Sequence, residues 1–282
     1  MLGKLLRRHA RYTPPENLTA RDPALIAADV EHAIVTARFH LDHLRQWGVG
    51  LDGASILEIG PGPNFGAQQI LASHGARVTV ADRFLARWND AFHQAYYGAL
   101  LARWDGPNDA IRRVLRDGGY APEAIVTVAG PAERMPSVAP ADAVLSNAVL
   151  EHVSDFAAVC RELSRVTKPG GLNSHQIDFR DHHDFARPLD FLAVQDADFA
   201  REFEEADGRF GNRVRPSEAR AMFRESGFEI VAEDVNARAD PAYLARILPR
   251  IRRSRSRYRD WPESDLRDVG IRFVLRRPQA LR

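Results

Sequence analysis

A chain of 282 residues with 39 basic and 38 acidic side chains has a formal net charge of +1, so no global charge attracts nucleic acid or an anionic membrane. Its single cysteine, Cys160, excludes an internal disulfide and any metal site built on several thiolates. No apolar run approaches the length of a membrane span, and the opening segment lacks the apolar core of a signal peptide. We therefore expect a globular, cytoplasmic protein with no membrane partner.

The first predicted element is a long helix over 22–47, where apolar residues recur at helical spacing after Asp22 and Pro23. Strands and helices then alternate along the chain. The predicted strands are 55–59, 77–81, 124–130, 142–147 and 171–179, and helices are predicted at 66–74 and 155–166. This alternation predicts an α/β fold with a doubly wound, Rossmann-like, mostly parallel sheet in a three-layer α/β/α arrangement.

Residues 84–120 are longer than a minimal crossover between strands, and they predict an inserted helical pair. The helical spacing of Phe92, Tyr96 and Tyr97 fits ordinary core packing and a lid over an acceptor pocket equally well. Past the fifth strand, 180–213 is polar and predicted to be irregular. A helix is predicted at 216–228 and short strands at 228–235 and 271–276.

We expect a single domain with additional segments at both ends and one insert. It consists of an N-terminal helical cap (1–50), a ligand-binding core (51–235) that carries the insert, and a C-terminal extension (236–282) that completes the sheet. No internal repeat or low-complexity linker separates these parts.

A glycine-rich loop follows the first strand. Gly60, Gly62 and Gly66 have the spacing G-x-G-x-x-x-G, which differs from the G-x-G-x-x-G of dinucleotide sites. Glycines at this place permit a sharp turn and let a ligand approach the backbone at the carboxyl end of the strand. Asp82 ends the second strand, where a carboxylate can accept hydrogen bonds from both hydroxyls of a ribose.

Five features follow one another in order: LEIGPGPNFG (57–66), Asp82, AERMP (132–136), VLSNAVLEHV (144–153) and VTKPGG (166–171). Together they resemble the successive motifs of small-molecule class I S-adenosylmethionine-dependent methyltransferases, over roughly residues 50–180. The resemblance implies the class I methyltransferase fold, S-adenosylmethionine as cofactor, and transfer of a methyl group to an oxygen or nitrogen of a small-molecule acceptor.

The resemblance also implies a set of cofactor-binding residues. Glu58, Gly60 and Gly62 would lie against the amino acid moiety, and Asp82 would hold the ribose. Ala132 and Glu133 would face the adenine, and Asn147 and Ala148 would border the methionine part. Pro61 and Arg83 complete the set. Pro131 stands where the family often has an acidic residue, so the adenine contact is expected to rely on backbone atoms or on Glu133.

Methyl transfer to a hydroxyl needs a base, and histidine suits that task because its ordinary pKa lies near neutrality. The stretch HQIDFRDHHDF (175–185) reaches the carboxyl end of the fifth strand, where open α/β sheets bind ligands. The candidate catalytic residues are His182, His183, Asp178, Asp181 and His152. We expect His182 or His183 to be the base and Asp178 or Asp181 to orient it, whereas His175 lies deeper and is structural. The alternative is that these polar groups only cap the loop.

A metal site stays a further alternative. The stretch AVLEH (148–152) is similar to the E-x-x-E-H element of metal-dependent methyltransferases that act on the terminal ribose of small RNAs, but Ala148 replaces the first glutamate. Glu151 and His152 with a loop histidine would form a reduced site of mixed oxygen and nitrogen ligands. His40 and His43 on the first helix are expected to be solvated.

The segment RILPRIRRSRSRYR (246–259) would suit a phosphate or nucleic-acid surface, yet acidic residues follow it and few aromatic residues interleave it. A nucleic-acid partner is therefore not favoured, and a small-molecule acceptor is. Two alternative functions stay open: a nucleic-acid methyltransferase that uses this segment, and a non-catalytic S-adenosylmethionine-binding protein. A homodimer is left open as well.

Overall fold

The computed structural model describes residues 23–85, 87–120, 124–205 and 211–279. Its strands are β1 (Ser55–Ile59), β2 (Arg77–Asp82), β3 (Ile125–Ala129), β4 (Ala141–Asn147), β5 (Thr167–Asp178), β6 (Glu229–Arg238) and β7 (Asp268–Arg276). They form a seven-stranded sheet in the order β3-β2-β1-β4-β5-β7-β6. The first five strands pair in parallel, and β7 lies antiparallel between β5 and β6. The predicted doubly wound, mostly parallel sheet is confirmed.

Helices cover both faces of this sheet. They are α1 (Pro23–Gln46), α2 (Gly66–Ser73), α3 (Asp90–Arg103), α4 (Asp109–Asp117), α5 (Phe156–Val166), α6 (Asp196–Glu205), α7 (Pro216–Glu225), α8 (Pro241–Arg253) and α9 (Glu263–Arg267). Successive strand residues point to opposite faces. Ile56 thus packs with α1 to α4, whereas Leu57 packs with α5 and α7. The α/β/α layering follows from this alternation.

The insert forms a pair of helices, α3 and α4, as predicted. Phe92, Tyr96 and Tyr97 are fully buried and belong to the same apolar core as α1 and α2. These rings therefore pack as core side chains and do not form a lid. Their helical spacing places all three on the face of α3 that packs on α1 and α2.

The prediction that 180–213 is irregular was wrong. A 3-10 turn at Asp190–Ala193 and helix α6 lie in this range, and α8 was not predicted at all. These elements share an apolar core that we call the C-terminal helical cluster: Leu189, Phe191, Leu192, Phe199, Phe203, Ala239, Tyr243, Leu244, Ile247, Ile251, Tyr258, Leu266 and Val269. The apolar residues of this cluster are separated in sequence by arginines and aspartates. The helical spacing of the apolar residues is therefore hard to recognise in the sequence.

Strand β5 begins earlier than predicted. Thr167 pairs with Ala141, and the register then shifts before Leu172 pairs with Ala143, so the predicted K-P-G-G turn is an irregularity inside the strand. Of the described helices, none is both long and apolar enough to cross a bilayer. Asp22, the expected start of the first helix, lies outside the described residues.

Candidate active site

The glycine loop joins β1 to α2 and needs glycine at one position in particular. Gly60 has φ 67°, and a Cβ atom there would overlap the side chain of Val149. Val149 follows β4, the parallel neighbour of β1, so the carboxyl ends of the two strands approach each other closely. Glycine at position 60 therefore permits both the left-handed backbone and this contact.

Two cavities open at the carboxyl edge of the sheet. The first has a volume of about 600 Å³ and lies beside β1, β2 and the turn after β4. The second has a volume of about 300 Å³ and lies between the glycine loop and α1. Gly60, Gly62 and Ala148 border both cavities, so the two spaces meet at the glycine loop.

The structure places all ten predicted cofactor residues on the walls of these cavities. Asp82, Arg83, Ala132 and Glu133 line the first cavity, Glu58, Pro61 and Asn147 line the second, and Gly60, Gly62 and Ala148 line both. Their individual contacts with the cofactor remain predictions.

Asp82 lies at the end of β2 on the wall of the first cavity. One of its carboxylate oxygens accepts a hydrogen bond from the Phe84 backbone N–H at 2.6 Å. Burial raises the pKa of Asp82, against the effect of this hydrogen bond. A carboxylate accepts several hydrogen bonds, so Asp82 keeps the capacity to accept from a pair of hydroxyls.

Glu133 also lines the first cavity and is held by hydrogen bonds. Its Oε1 accepts hydrogen bonds from the backbone N–H and the hydroxyl of Ser154, each at 2.8 Å. Burial opposes ionisation of this carboxyl, but these hydrogen bonds and those from the Glu133 and Asp155 backbones hold its pKa below the usual value. Glu133 is therefore a fixed, ionised acceptor.

The second cavity contains buried acceptors that have no partner. Glu58 and Gln68 are 3% and 2% exposed, and Glu58 Oε2 and Gln68 Oε1 meet no hydrogen-bond donor among the described residues. Unpaired buried acceptors are costly, so this wall fits a ligand that carries donors, such as the ammonium group of an amino acid. These acceptors thus fit the ammonium group at the methionine end of S-adenosylmethionine.

His40 packs behind this wall, with its Nε2 3.7 Å from Glu58 Oε1. The expectation that His40 is solvated was wrong, because it is only 3% exposed. His43 is half-buried and stacks on Phe39, and burial together with Arg272 lowers its pKa to about 4. Both histidines lie on the side of α1 that faces the sheet. Because histidine is a polar residue type, the sequence did not indicate this burial.

Ala148, the residue shared by both cavities, has φ 55° although it is not a glycine. Its backbone N–H donates to Gln176 O on β5 at 3.0 Å, which holds the unusual conformation in place. A strained backbone of this kind is maintained only where surrounding structure enforces it, and such residues concentrate at functional sites.

Three candidate catalytic side chains come together beside the first cavity. His152 lines that cavity, and its ring meets the ring of His182 edge to face with centroids 4.8 Å apart. His182 Nε2 lies 3.7 Å from Asp178 Oδ2 and 3.9 Å from Glu151 Oε1. Burial and the charge of His152 lower the pKa of His182. Burial raises the pKa of Glu151 to about 8, against the effect of nearby Glu151 and Asp178 backbone N–H groups.

The other loop candidates lie elsewhere. Asp181 is 1% exposed, and its Oδ1 accepts a hydrogen bond from the His183 backbone N–H at 2.9 Å. Neither Asp181 nor His183 is among the residues that line the two cavities. For these two, the geometry favours the alternative that they shape the loop.

His175 is fully buried, and Ser146 Oγ lies 2.8 Å from its Nδ1. This agrees with the expected structural role.

Several wall residues were not predicted from the sequence. Phe84, Val149, Val153, Ser154 and Phe203 line the first cavity, and Asp29, His32, Thr36, Asn64 and Gln68 line the second. Asp29, His32 and Thr36 recur at intervals of three and four along α1, so they share one helix face. This row of polar residues on α1 was the feature of the sequence that could have indicated these wall residues.

The arginine-rich segment 246–259 covers the outside of the C-terminal helical cluster. Arg250 pairs with Asp190 at 2.8 Å, and Arg257 pairs with Glu218 at 3.2 Å. Ile247 and Ile251 on the same helix point inward and are buried. Part of the predicted basic surface is therefore neutralised by acidic neighbours.

A mostly parallel, Rossmann-like sheet with helices on both faces is the fold of class I methyltransferases. A model of the methyltransferase domain family matches residues 30–233. The chain therefore belongs to this family, the motif resemblance is confirmed, and S-adenosylmethionine is its cofactor. Among curated proteins, none matches the chain significantly.

Solved structures are similar at low sequence identity. Haemonchus contortus phosphoethanolamine N-methyltransferase 2, in complex with S-adenosylmethionine, is 16% identical with a TM-score of 0.49 over 86% of this chain and 53% of that one. The chain thus spans about half the length of the nematode enzyme. An S-adenosylmethionine-dependent methyltransferase from Mesorhizobium loti is 16% identical with a TM-score of 0.47, over 84% and 96% of the two chains.

Proposed function

We propose that this methyltransferase transfers the methyl group of S-adenosylmethionine to an oxygen or nitrogen of a small-molecule acceptor. The observation that carries the proposal is the pair of cavities, about 600 and 300 Å³ in volume, that meet at Gly60, Gly62 and Ala148. Spaces of this size enclose a cofactor and a small ligand and are typical of small-molecule sites.

In this proposal the cofactor lies across the glycine loop. Asp82 accepts hydrogen bonds from its ribose, Glu133 holds the adenine side, and Glu58 accepts from its ammonium group. The support for this orientation is the unpartnered Oε2 of Glu58 in the second cavity and the polar lining of Asp82 and Glu133 in the first. The sulfonium then lies near the shared border of the two cavities.

The chemistry requires alignment more than activation. S-Adenosylmethionine supplies an electrophilic methyl group, so the protein has to hold the acceptor in line with it and exclude water. His152 lines the cavity, and His182, Asp178 and Glu151 lie behind it. In our proposal these four polar residues form the side of the site that receives the acceptor, and they take up the proton that a hydroxyl acceptor loses.

The test uses the full chain and two measurements. Calorimetry measures affinity for S-adenosylmethionine, and S-adenosylhomocysteine formation is followed with a panel of small hydroxylated and amine acceptors and, separately, with total RNA. We expect Asp82→Asn to weaken cofactor binding at least tenfold, because it loses a charged acceptor of the ribose. Asp105→Asn is the matched control, since Asp105 is exposed and pairs with the exposed Arg38.

The proposal stands if a small acceptor yields S-adenosylhomocysteine and Asp82→Asn slows its formation at limiting cofactor. Turnover with RNA alone would contradict the small-molecule assignment, and tight cofactor binding without turnover on any acceptor would favour a non-catalytic binding protein.

A further inference from the structure

Three potential metal ligands converge where the turn after β4 meets the loop after β5. They are Glu151, His152 and His182, and one ligand atom from each lies within 4.8 Å of the other two. His152 also lines the first cavity, so this cluster borders the space proposed for the reactants. We call these three residues the Glu-His-His cluster.

Among the described residues, the buried Glu151 carboxyl is approached only loosely, by the Glu151 and Asp178 backbone N–H groups. It is 1% exposed, and neither of its oxygens meets a donor at hydrogen-bond geometry among the described residues. Asp178, the neighbouring carboxylate, is already paired with Arg180 through bonds of 2.6 and 2.8 Å. Arg180 is thus directed to Asp178 and does not bond to Glu151, so a cation could occupy the space between the Glu151 oxygens and the two histidines.

His182 has the orientation of a metal ligand. Its Nδ1 lies 2.9 Å from Arg180 O, so Nδ1 carries the proton and donates to this carbonyl. The lone pair of Nε2 then faces Glu151 Oε1 and Asp178 Oδ2 at 3.9 and 3.7 Å, which is too long for a hydrogen bond. A cation between His182 Nε2 and Glu151 Oε1 would contact both atoms. Metal-bound histidines characteristically donate their other ring nitrogen to a backbone carbonyl in this way.

We propose that the Glu-His-His cluster binds a divalent first-row transition metal through one Glu151 oxygen and one ring nitrogen each of His152 and His182. Two imidazoles and a carboxylate are a donor set that such metals accept. Ligand atoms of a tetrahedral site lie about 3.3 Å apart, so ligand atoms that are now up to 4.8 Å apart would close by up to about 1.5 Å on binding.

The cluster has only three protein ligands, which leaves coordination positions for water or for an acceptor oxygen from the cavity. Metal binding itself does not depend on the proposed function, whereas a role at the acceptor rests on it. In that role the metal would hold an acceptor hydroxyl and lower its pKa, so that the proton passes to water while His152 and His182 serve as ligands instead of as the base.

The test is a titration of the chelator-treated full chain with Co²⁺, read by calorimetry and by visible absorption. We expect one Co²⁺ per chain with the intense bands of a low-coordinate site. Glu151→Gln and His182→Gln are expected to weaken binding at least tenfold. His183→Gln is the matched control, because it removes a loop histidine next to His182 that lies outside the cluster, and it should bind Co²⁺ as the wild type does.

Circular dichroism and urea denaturation verify that each variant folds, and His152→Gln provides a second probe if Glu151→Gln does not. The proposal is overturned if the wild type binds Co²⁺ no more tightly than His182→Gln. It is equally overturned if His183→Gln weakens binding as much as the cluster variants do. S-Adenosylmethionine affinity, measured on the same samples, separates the two proposals: loss of Co²⁺ binding with intact cofactor binding concerns the metal site alone.

Discussion

Two histidines seven positions apart in one segment, His175 and His182, have opposite environments. His175 lies inside the sheet, where Nδ1 contacts Ser146 Oγ at 2.8 Å and Nε2 lies 3.3 Å from Asn173 Oδ1. His182 lies beyond the strand end, beside the first cavity. Both residues are histidines, but their positions relative to the end of β5 differ. His175 lies within the strand and is a core side chain, whereas His182 lies beyond its end and is a candidate catalytic residue.

The environment of His175 predicts a pH-dependent stability. Burial lowers its pKa to about 3, so the native chain keeps it neutral while the unfolded chain protonates it below about pH 6.5. The free energy of unfolding therefore falls as the pH drops below this value, by up to about 1.4 kcal/mol per pH unit from this group. We expect urea denaturation between pH 7.5 and 4.5 to show a shallower decline in His175→Gln. His32→Gln, which changes an exposed histidine of α1, should decline as the wild type does; equal slopes in both variants would contradict the assignment.

At the scale of elements, α2 is placed by the close approach of two other helices. Gly66 begins α2, and a Cβ atom there would overlap the Tyr96 hydroxyl of α3 and lie 2.9 Å from Ala33 Cβ of α1. The third glycine of the loop motif is therefore a packing residue. The three helices hold the glycine loop against the strand ends, which fixes the border between the two cavities.

This packing predicts opposite effects for two glycine substitutions. Gly66→Ala should lower the free energy of unfolding by about 1–3 kcal/mol, because the added methyl forces α1 and α3 apart. Gly98→Ala, on the exposed side of α3 with no atom within 4 Å of the added Cβ, should raise it by up to about 1 kcal/mol through helix propensity. Urea denaturation followed by circular dichroism measures both. A Gly66→Ala variant as stable as Gly98→Ala would show that α2 can shift freely.

At the scale of the whole molecule, one buried arginine joins the sheet to the C-terminal helical cluster. Arg215 is fully buried, and its guanidinium donates to the carbonyl oxygens of Phe179, Asp265 and Asp268 at 2.8, 3.1 and 3.3 Å. Phe179 follows β5, whereas Asp265 and Asp268 precede or begin β7. The helical cluster is thereby tied to the strand end that carries His182.

Arg215→Met should remove three hydrogen bonds and leave the acceptors unpaired, at a cost of about 3–5 kcal/mol. We expect hydrogen exchange, read by mass spectrometry, to accelerate first in 239–269 and only later in the parallel strands. Arg224→Met, an exposed arginine of α7, is the matched control and should exchange as the wild type does. Uniform acceleration across the chain would contradict a link between two units.

The parallel strands and the glycine loop were predictable because each depends on residues adjacent in the chain. The strands β1 to β4 appear as short apolar runs, and Gly60, Gly62 and Asp82 directly follow such runs. Helices α6 and α8 were missed because their apolar residues become a core only when they meet each other. His40 was misjudged for the same reason, since it is buried where α1 packs on the core and its Nε2 lies 3.7 Å from Glu58 Oε1.

The positions of the parallel strands along the chain, the family and the cofactor could be predicted from the sequence, because local periodicity and short motifs carry that information. Only the tertiary structure decided which polar groups meet. Glu151 and His182 are 31 positions apart, yet parallel pairing of β4 and β5 brings their loops to one edge of the sheet. Contacts between strand ends depend on pairing and register, which no single segment encodes, so the Glu-His-His cluster emerges only from the folded chain.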